Sequence, residues 1–151
     1  MTHLCWRVRP GHDDGQASVE MAVSLMIVTL LVFWLFEVCM FMYTCGVLNN
    51  AAVEGVRYAI MHGTDSTICS GPDAGCTDQA PYTRVQAIVK STASASRHDL
   101  TAMTVTVSYD NGTAAVGNPV EVKVLYTYVP YIQLPGLRGK VSFSSRGQII
   151  Y

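Results

Sequence analysis

Charge is scarce in this chain. Only 14% of its 151 residues are Asp, Glu, Lys or Arg, and ten cations against eleven anions leave a formal net charge of −1. A nucleic-acid surface needs a basic stripe, so nucleic acid is not expected as a partner. The histidines are few and scattered: His3, His12, His62 and His98 form no HExxH run and no Cys-His constellation. No phosphate-binding glycine loop is present, and no serine stands in a nucleophile-elbow context. These absences point away from an enzyme, and no cofactor or metal is expected. Internal repeats and low-complexity blocks are also missing.

What the chain does have is one long apolar run, residues 21–43, with Glu37 as its single charged side chain. At about 1.5 Å per residue it reaches roughly 35 Å as a helix, enough to cross a bilayer core with some tilt. Phe33, Trp34, Phe36, Phe41 and Tyr43 crowd its second half, as aromatic residues do near a membrane interface. A cleaved secretory signal would have an apolar core of about 7–15 residues followed by a small-x-small site. This run is longer, and no such site follows. Arg7 and Arg9 precede it while only Arg57 lies close behind, which favours a cytoplasmic N-terminus.

A polar leader with Arg7, Arg9, Asp13 and Asp14 ends in Gly15-Gln16-Ala17-Ser18-Val19-Glu20. An unpaired carboxylate at the apolar end of a membrane anchor costs several kcal/mol. A glutamate kept five residues after a glycine therefore reads as a processing signal joined to an assembly helix.

Beyond the run, Val47, Leu48, Ala51, Ala52, Val56, Ala59 and Ile60 recur at three- and four-residue spacing, with Asn49, Asn50, Glu54 and Arg57 mostly between them. The pattern predicts one helix from Ser18 to His62, roughly 65 Å long and stopped by Gly63. Its inner half is apolar all round. Its outer half is amphipathic and is expected to carry a globular domain. A polar loop follows from Thr64 to Gln79. A short helix is predicted from about Pro81 to Ala95, with Asp78 as its cap, Pro81 in its first turn and Val85, Ile88 and Val89 on its apolar face. Residues 97–99 read as a linker.

The last third changes period. Met103, Val105, Val107 and Tyr109 alternate with hydroxyl residues, and Asp110-Asn111-Gly112 is a turn signal. Pro119 tolerates only a strand start or an edge. Val120, Val122, Val124, Tyr126 and Tyr128 alternate through a second strand, and Pro130 and Pro135 break the chain. A third strand is predicted from about Val141 to Tyr151, with Val141, Phe143 and Ile149 on one face. The expected fold class is α+β: a long N-terminal transmembrane and amphipathic helix, a short second helix and a three-stranded antiparallel sheet. The expected division is a leader over 1–15, a helix over 16–62 with its span at about 21–43, and an extracytoplasmic domain over 63–151.

The pattern Gly-x-x-x-Val-Glu, then an apolar helix with a Glu in its second half, then Asn-Ala-Ala-x-Glu-Gly-x-Arg-Tyr-Ala, resembles the TadE-like proteins. Here it is carried by Gly15, Val19, Glu20, Glu37, Asn50, Ala51, Ala52, Glu54, Gly55, Arg57, Tyr58 and Ala59. The resemblance implies a pilin-like minor component, a pseudopilin or minor pilin, of the Tad (tight-adherence) type IV pilus machinery, which serves adhesion and biofilm formation. It implies cleavage between Gly15 and Gln16 by a prepilin peptidase at the cytoplasmic face. It also implies a single-pass place in the cytoplasmic (inner) membrane, the C-terminal domain outside, association with the pilus, and other Tad pilins and the assembly platform as partners. Two departures stand out: Val23-Ser24-Leu25-Met26 lacks the proline frequent early in the family's helix, and Gln16 is not the aromatic residue that often opens a mature pilin.

Within that frame Glu20 and Glu37 are the expected assembly residues. In a stack of parallel helices the Glu20 carboxylate meets a neighbour's new N-terminal ammonium, and the cost of either charge alone in a low dielectric sets the register. The alternative is that Glu20 only favours the positive end of its own helix. Glu37 either pairs with another subunit inside the membrane or sits at the outer interface, where its carboxylate reaches water. Glu54 and Arg57, at i,i+3, are worth a few tenths of a kcal/mol as a surface pair. With the other family-motif residues Asn50, Gly55 and Tyr58, they are expected to dock the helix on its own domain.

Cys69 and Cys76 close a short polar loop suited to a disulfide in a secreted location. Zinc would need two further ligands. Cys39 and Cys45 read as packing residues, and Cys5 departs with the leader. Two rival readings stay open: a permanently anchored extracytoplasmic binding or adhesion module that is never processed, and a membrane-bound enzyme subunit.

Overall fold

The computed structural model describes residues 13–96, 99–132 and 138–150. The readings made for the leader before Asp13 (Cys5, His3 and His12 among them), for Arg97 and His98, for Pro135 and for Tyr151 lie outside the described residues. The element order is α1 (Asp13–Met61), α2 (Thr83–Ala93), a 3-10 turn (Ser94–Ser96), β1 (Thr104–Tyr109), β2 (Pro119–Tyr128) and β3 (Gly139–Gln148). This is the α+β arrangement expected: a long apolar helix, a short helix and a three-stranded antiparallel sheet. The chain falls into two compact units, one ending at Phe36 and one beginning at Glu37, and α1 runs through the division.

In the first unit the helix has no polar face. From Val19 to Phe36 its large apolar side chains are all exposed, so it has no single stripe to bury against protein. The Thr29 hydroxyl donates to the carbonyl of Leu25 at 2.7 Å, which satisfies it inside its own helix. The helix is long and apolar enough to cross a membrane.

The second unit is a sheet covered on one face by helix. The strand order is β1-β2-β3, with both pairs antiparallel. Val105 and Val107 stand opposite Val124 and Val122, while Phe143 and Val141 stand opposite Val124 and Tyr126. Because side chains alternate across a strand, one apolar face follows from this register. Val120, Val122, Val124, Tyr126 and Tyr128 of β2 are all buried on it. Leu48, Ala51, Ala52, Val56 and Ala59 of α1 and Val85, Val89 and Ala93 of α2 complete the core.

Two glycines set how close the layers come. A methyl group built on Gly55 of α1 would lie 2.5 Å from Cγ2 of Val89 and 3.2 Å from Cγ1 of Val122. One built on Gly147 of β3 would lie 2.8 Å from Cγ1 of Val56. The glycine at position 55 of the helix is therefore a packing requirement, over and above the apolar period.

Several boundaries differ from those read in the sequence. The long helix begins at Asp13, not Ser18. The second begins at Thr83, so Pro81 precedes it instead of occupying its first turn. The Ala80–Pro81 bond is cis, and Tyr82 takes a left-handed backbone conformation with φ 58°. Asp78 does cap the helix, but from five residues ahead. Its Oδ2 accepts from the backbone N–H of Arg84 at 3.1 Å and its Oδ1 from the Thr83 hydroxyl at 3.1 Å. The turn closed by the Tyr82 N–H on the Gln79 carbonyl brings Asp78 within reach. β3 starts at Gly139, and Ile149 is buried just past its end, on the same side of the alternation as Val141 and Phe143.

Gly55→Leu is expected to destabilise the second unit by about 3 kcal/mol, the upper end of ordinary overpacking. Val53→Ala, on the exposed side of the same turn, should change stability by no more than about 0.5 kcal/mol. Chemical unfolding of the full chain in detergent, followed by near-UV circular dichroism, measures both.

Candidate assembly site

Glu37 opens the second unit and is 0% exposed. It lies on the α1 face that also carries Phe41, Thr44 and Leu48, at four-, seven- and eleven-residue offsets, so this face leads directly into the core. Its Oε1 accepts from the Tyr128 hydroxyl at 2.8 Å and from the backbone N–H of Tyr131 at 3.0 Å, and its Oε2 accepts from the backbone N–H of Ile132 at 3.3 Å. The Phe41 ring meets Tyr128 edge-on, with centroids 5.0 Å apart. Burial, then the hydrogen bond to Glu37 and its charge, push the Tyr128 phenol well above its ordinary value, so it remains a donor across physiological pH.

This burial corrects the sequence reading of Glu37 as a carboxylate that reaches water at the outer interface. Three donors from its own domain hold it instead. The physical reason is the cost of burying an unpaired carboxylate, which this ring of donors offsets.

Glu37→Ala strands a buried hydroxyl and two N–H groups and is expected to cost about 3 kcal/mol or more; Tyr128→Phe should cost about 2 kcal/mol, the range for a hydrogen bond to a charged group. Unfolding of the double variant in detergent should cost less than the two single losses summed, because they share one interaction. Additive losses would mean that the two side chains do not act on each other.

Glu20 is exposed in the first unit, seven residues past the helix start. The helix-end effect fades within the first turn, so in the uncleaved chain that alternative has little force. Gly15 and Gln16 lie near the start of α1, and both are exposed. The downstream motif divides by face. Ala51, Ala52, Gly55 and Ala59 are buried and do the docking. Asn50 is exposed. Glu54 and Arg57, expected to help dock the helix, pair with each other at 3.1 Å, their side chains 43% and 71% exposed. Tyr58 stacks on His62 with ring centroids 4.0 Å apart, and Nδ1 of His62 lies 2.9 Å from the Tyr58 carbonyl. A carbonyl only accepts, so that nitrogen carries the proton.

Residues 15–57 match the TadE-like protein family. No curated protein and no solved structure matches the chain. The matched segment is less than a third of the chain, and the family it resembles is pilin-like and generally non-enzymatic. The TadE-like segment takes in the exposed apolar helix, Glu37 and most of the small-residue face that docks on the sheet. α2, the cysteine loop and all three strands lie outside it.

Outside the TadE-like segment, Cys69 and Cys76 are joined by a disulfide. The loop they close is tied down from three sides. Ser70 and Asp78 form a short parallel bridge, with the Ser70 hydroxyl donating to Asp78 Oδ2 at 3.0 Å. Asp73 accepts from the backbone N–H of Ala114. The Tyr109 hydroxyl donates to the Ser70 carbonyl at 2.7 Å. Cys39 is exposed instead of packed, and Cys45 is half-buried. Among the described residues no three His, Cys, Asp or Glu side chains gather as a metal site would require. Sequence reasoning missed the partners of Glu37, Asp73 and Tyr109. Tyr128 was legible only as the last apolar position of its strand, and the other donors to Glu37 are backbone N–H groups, which carry no sequence signal.

Burial, with added repulsion from Tyr82, Asp78 and Asp73, pushes the Tyr109 phenol up to about 12 from its ordinary 10.0. Below pH 10 the group is neutral folded and unfolded and adds no slope. Between about pH 10 and 12 only the unfolded chain releases the proton, so stability falls as pH rises. Tyr109→Phe should cost about 1 kcal/mol at pH 7 through the lost hydrogen bond. It should also flatten part of that alkaline decline in a series of unfolding curves from pH 8 to 12.

Proposed function

We infer that this protein is a pseudopilin or minor pilin that takes part in assembling a Tad type IV pilus. The observation that carries the reading is the division of the TadE-like helix. Its inner half is apolar and exposed on every side, and its outer half is bound into a small domain. The inner half holds the protein in the cytoplasmic membrane and associates with the equivalent helices of other pilins. The second unit, outside the cytoplasm, presents the surface that partners meet. The disulfide supports that side of the membrane, because such bonds persist in oxidising compartments.

In this reading a prepilin peptidase cuts between Gly15 and Gln16. The Glu20 carboxylate then meets the N-terminal ammonium of a neighbouring subunit, and the assembly platform lifts the processed helix out of the bilayer. Glu37 has a different part: it ties the helix to its own domain, so that force on one is transmitted to the other.

Mass spectrometry of the protein from membranes, with and without the prepilin peptidase, is the test. A mature chain starting at Gln16, replaced by the uncut chain when the peptidase is removed, is expected. A leader retained in both strains would favour the permanently anchored binding or adhesion module. Glu20→Ala should reach the membrane at the normal level and lower pilus yield by tenfold or more; normal pili from that variant would remove Glu20 from the mechanism.

A further inference from the structure

The exposed apolar run of α1 ends at Phe36, and the next residue, Glu37, is already enclosed by its own domain. The rim of the second unit around Glu37 is therefore the first folded surface that the chain meets after the apolar run. That rim has an unusual composition. Tyr131, whose backbone binds Glu37, is 53% exposed, and Val129 is 50% exposed. Tyr43 is 51% exposed, although its hydroxyl donates to the Ala95 carbonyl. Arg138 and Lys140, both exposed, stand at the start of β3, with Lys140 opposite Thr127. A concavity of about 350 Å³ lies against Val129, Pro130 and Tyr131, and Asp99 is the one carboxylate on its wall among the described residues. A second, of about 240 Å³, shares Tyr126 and Thr127 with it and reaches Lys140.

The other end of β2 is different in kind. There Arg146 is occupied by Glu121 at 3.0 Å and Asp110 at 3.7 Å, and the exposed turns are built from Asn111, Gly112 and Gly117. Among the described residues, exposed tyrosines beside cations outside any ion pair are thus found at the Glu37 end. Tyrosine is amphipathic and settles at headgroup level. Lysine and arginine near an anionic leaflet are attracted by about fivefold in binding per charge.

We propose that this rim (Tyr131, Val129 and Tyr43, with Arg138 and Lys140) is an interfacial contact that seats the second unit on the anionic headgroup layer of the membrane. The inference rests on the reading of α1 as a membrane span. Tethering by that span makes the contact effectively intramolecular, so a few weak interactions suffice to hold it. The seat fixes the orientation of the domain before assembly and has to be released when the subunit leaves the bilayer.

The test uses the full chain in vesicles of phosphatidylglycerol and phosphatidylethanolamine, with a brominated lipid as quencher of tryptophan fluorescence. Trp6→Phe leaves Trp34 as the reporter of the span. Adding Trp34→Phe and then Tyr131→Trp or Val129→Trp reports the rim. Val116→Trp, exposed beyond the far end of β2, is the control. The proposal expects strong quenching of Trp34. It expects quenching at positions 131 and 129 at least threefold above that at 116. Arg138→Gln with Lys140→Gln, or vesicles of phosphatidylcholine alone, should lower the rim signal at least twofold. A quenched Trp34 with rim signals no greater than the control would overturn the seat and leave the span standing. An unquenched Trp34 would overturn the span and the seat together. Rim quenching indifferent to lipid charge and to both cations would overturn the assignment to anionic headgroups.

Discussion

Close approach of α1 to the sheet is the constraint on which the second unit depends. Gly55 meets Val89 and Val122, and Gly147 admits Val56, at distances where a methyl group would collide. Alanines at 51, 52 and 59 continue the same narrow face. A bulkier residue at this contact would lift the helix, and every interaction that spans the two layers would lengthen with it. The Glu37 clamp is one of these. Its donors come from the end of β2 and the backbone beyond it, and hydrogen bonds tolerate only a few tenths of an ångström.

The same helix lives under two sets of rules. As far as Phe36 its apolar side chains face outward and need an apolar solvent. From Glu37 onward its buried positions recur at three- and four-residue intervals and need a protein partner. The residue at the change is a carboxylate, the group least suited to either environment alone. Its solvation by one phenol and two backbone N–H groups lets the helix pass from one regime to the other without a break.

Periodicity made most of this fold legible in the sequence. The alternation of Val120 to Tyr128, the three-and-four spacing of Leu48 to Ile60 and the uninterrupted apolar run each announce their element, because the burial that shapes them acts on every residue in turn. The start of α2 was misplaced because a left-handed Tyr82 and an Asp78 cap five residues away leave no mark in a period. Glu37 was legible as a residue that must matter but not as to what it does. Its partners lie in a distant strand and in backbone N–H groups, and a backbone donor has no letter of its own. Glu54 and Arg57 erred in the opposite direction: their place in a recognisable motif suggested a docking role that smaller neighbours perform.

The Tyr128 that holds Glu37 is 91 residues further along the chain. At a synthesis rate of roughly 5–20 residues per second, the carboxylate leaves the ribosome about 5–20 seconds before its chief donor exists. Through that interval the helix can form, but the carboxylate lacks the phenol that holds it in the finished domain. Completion of β2 supplies it. The environment of this carboxylate is thus settled late, by a strand made long after the helix that carries it.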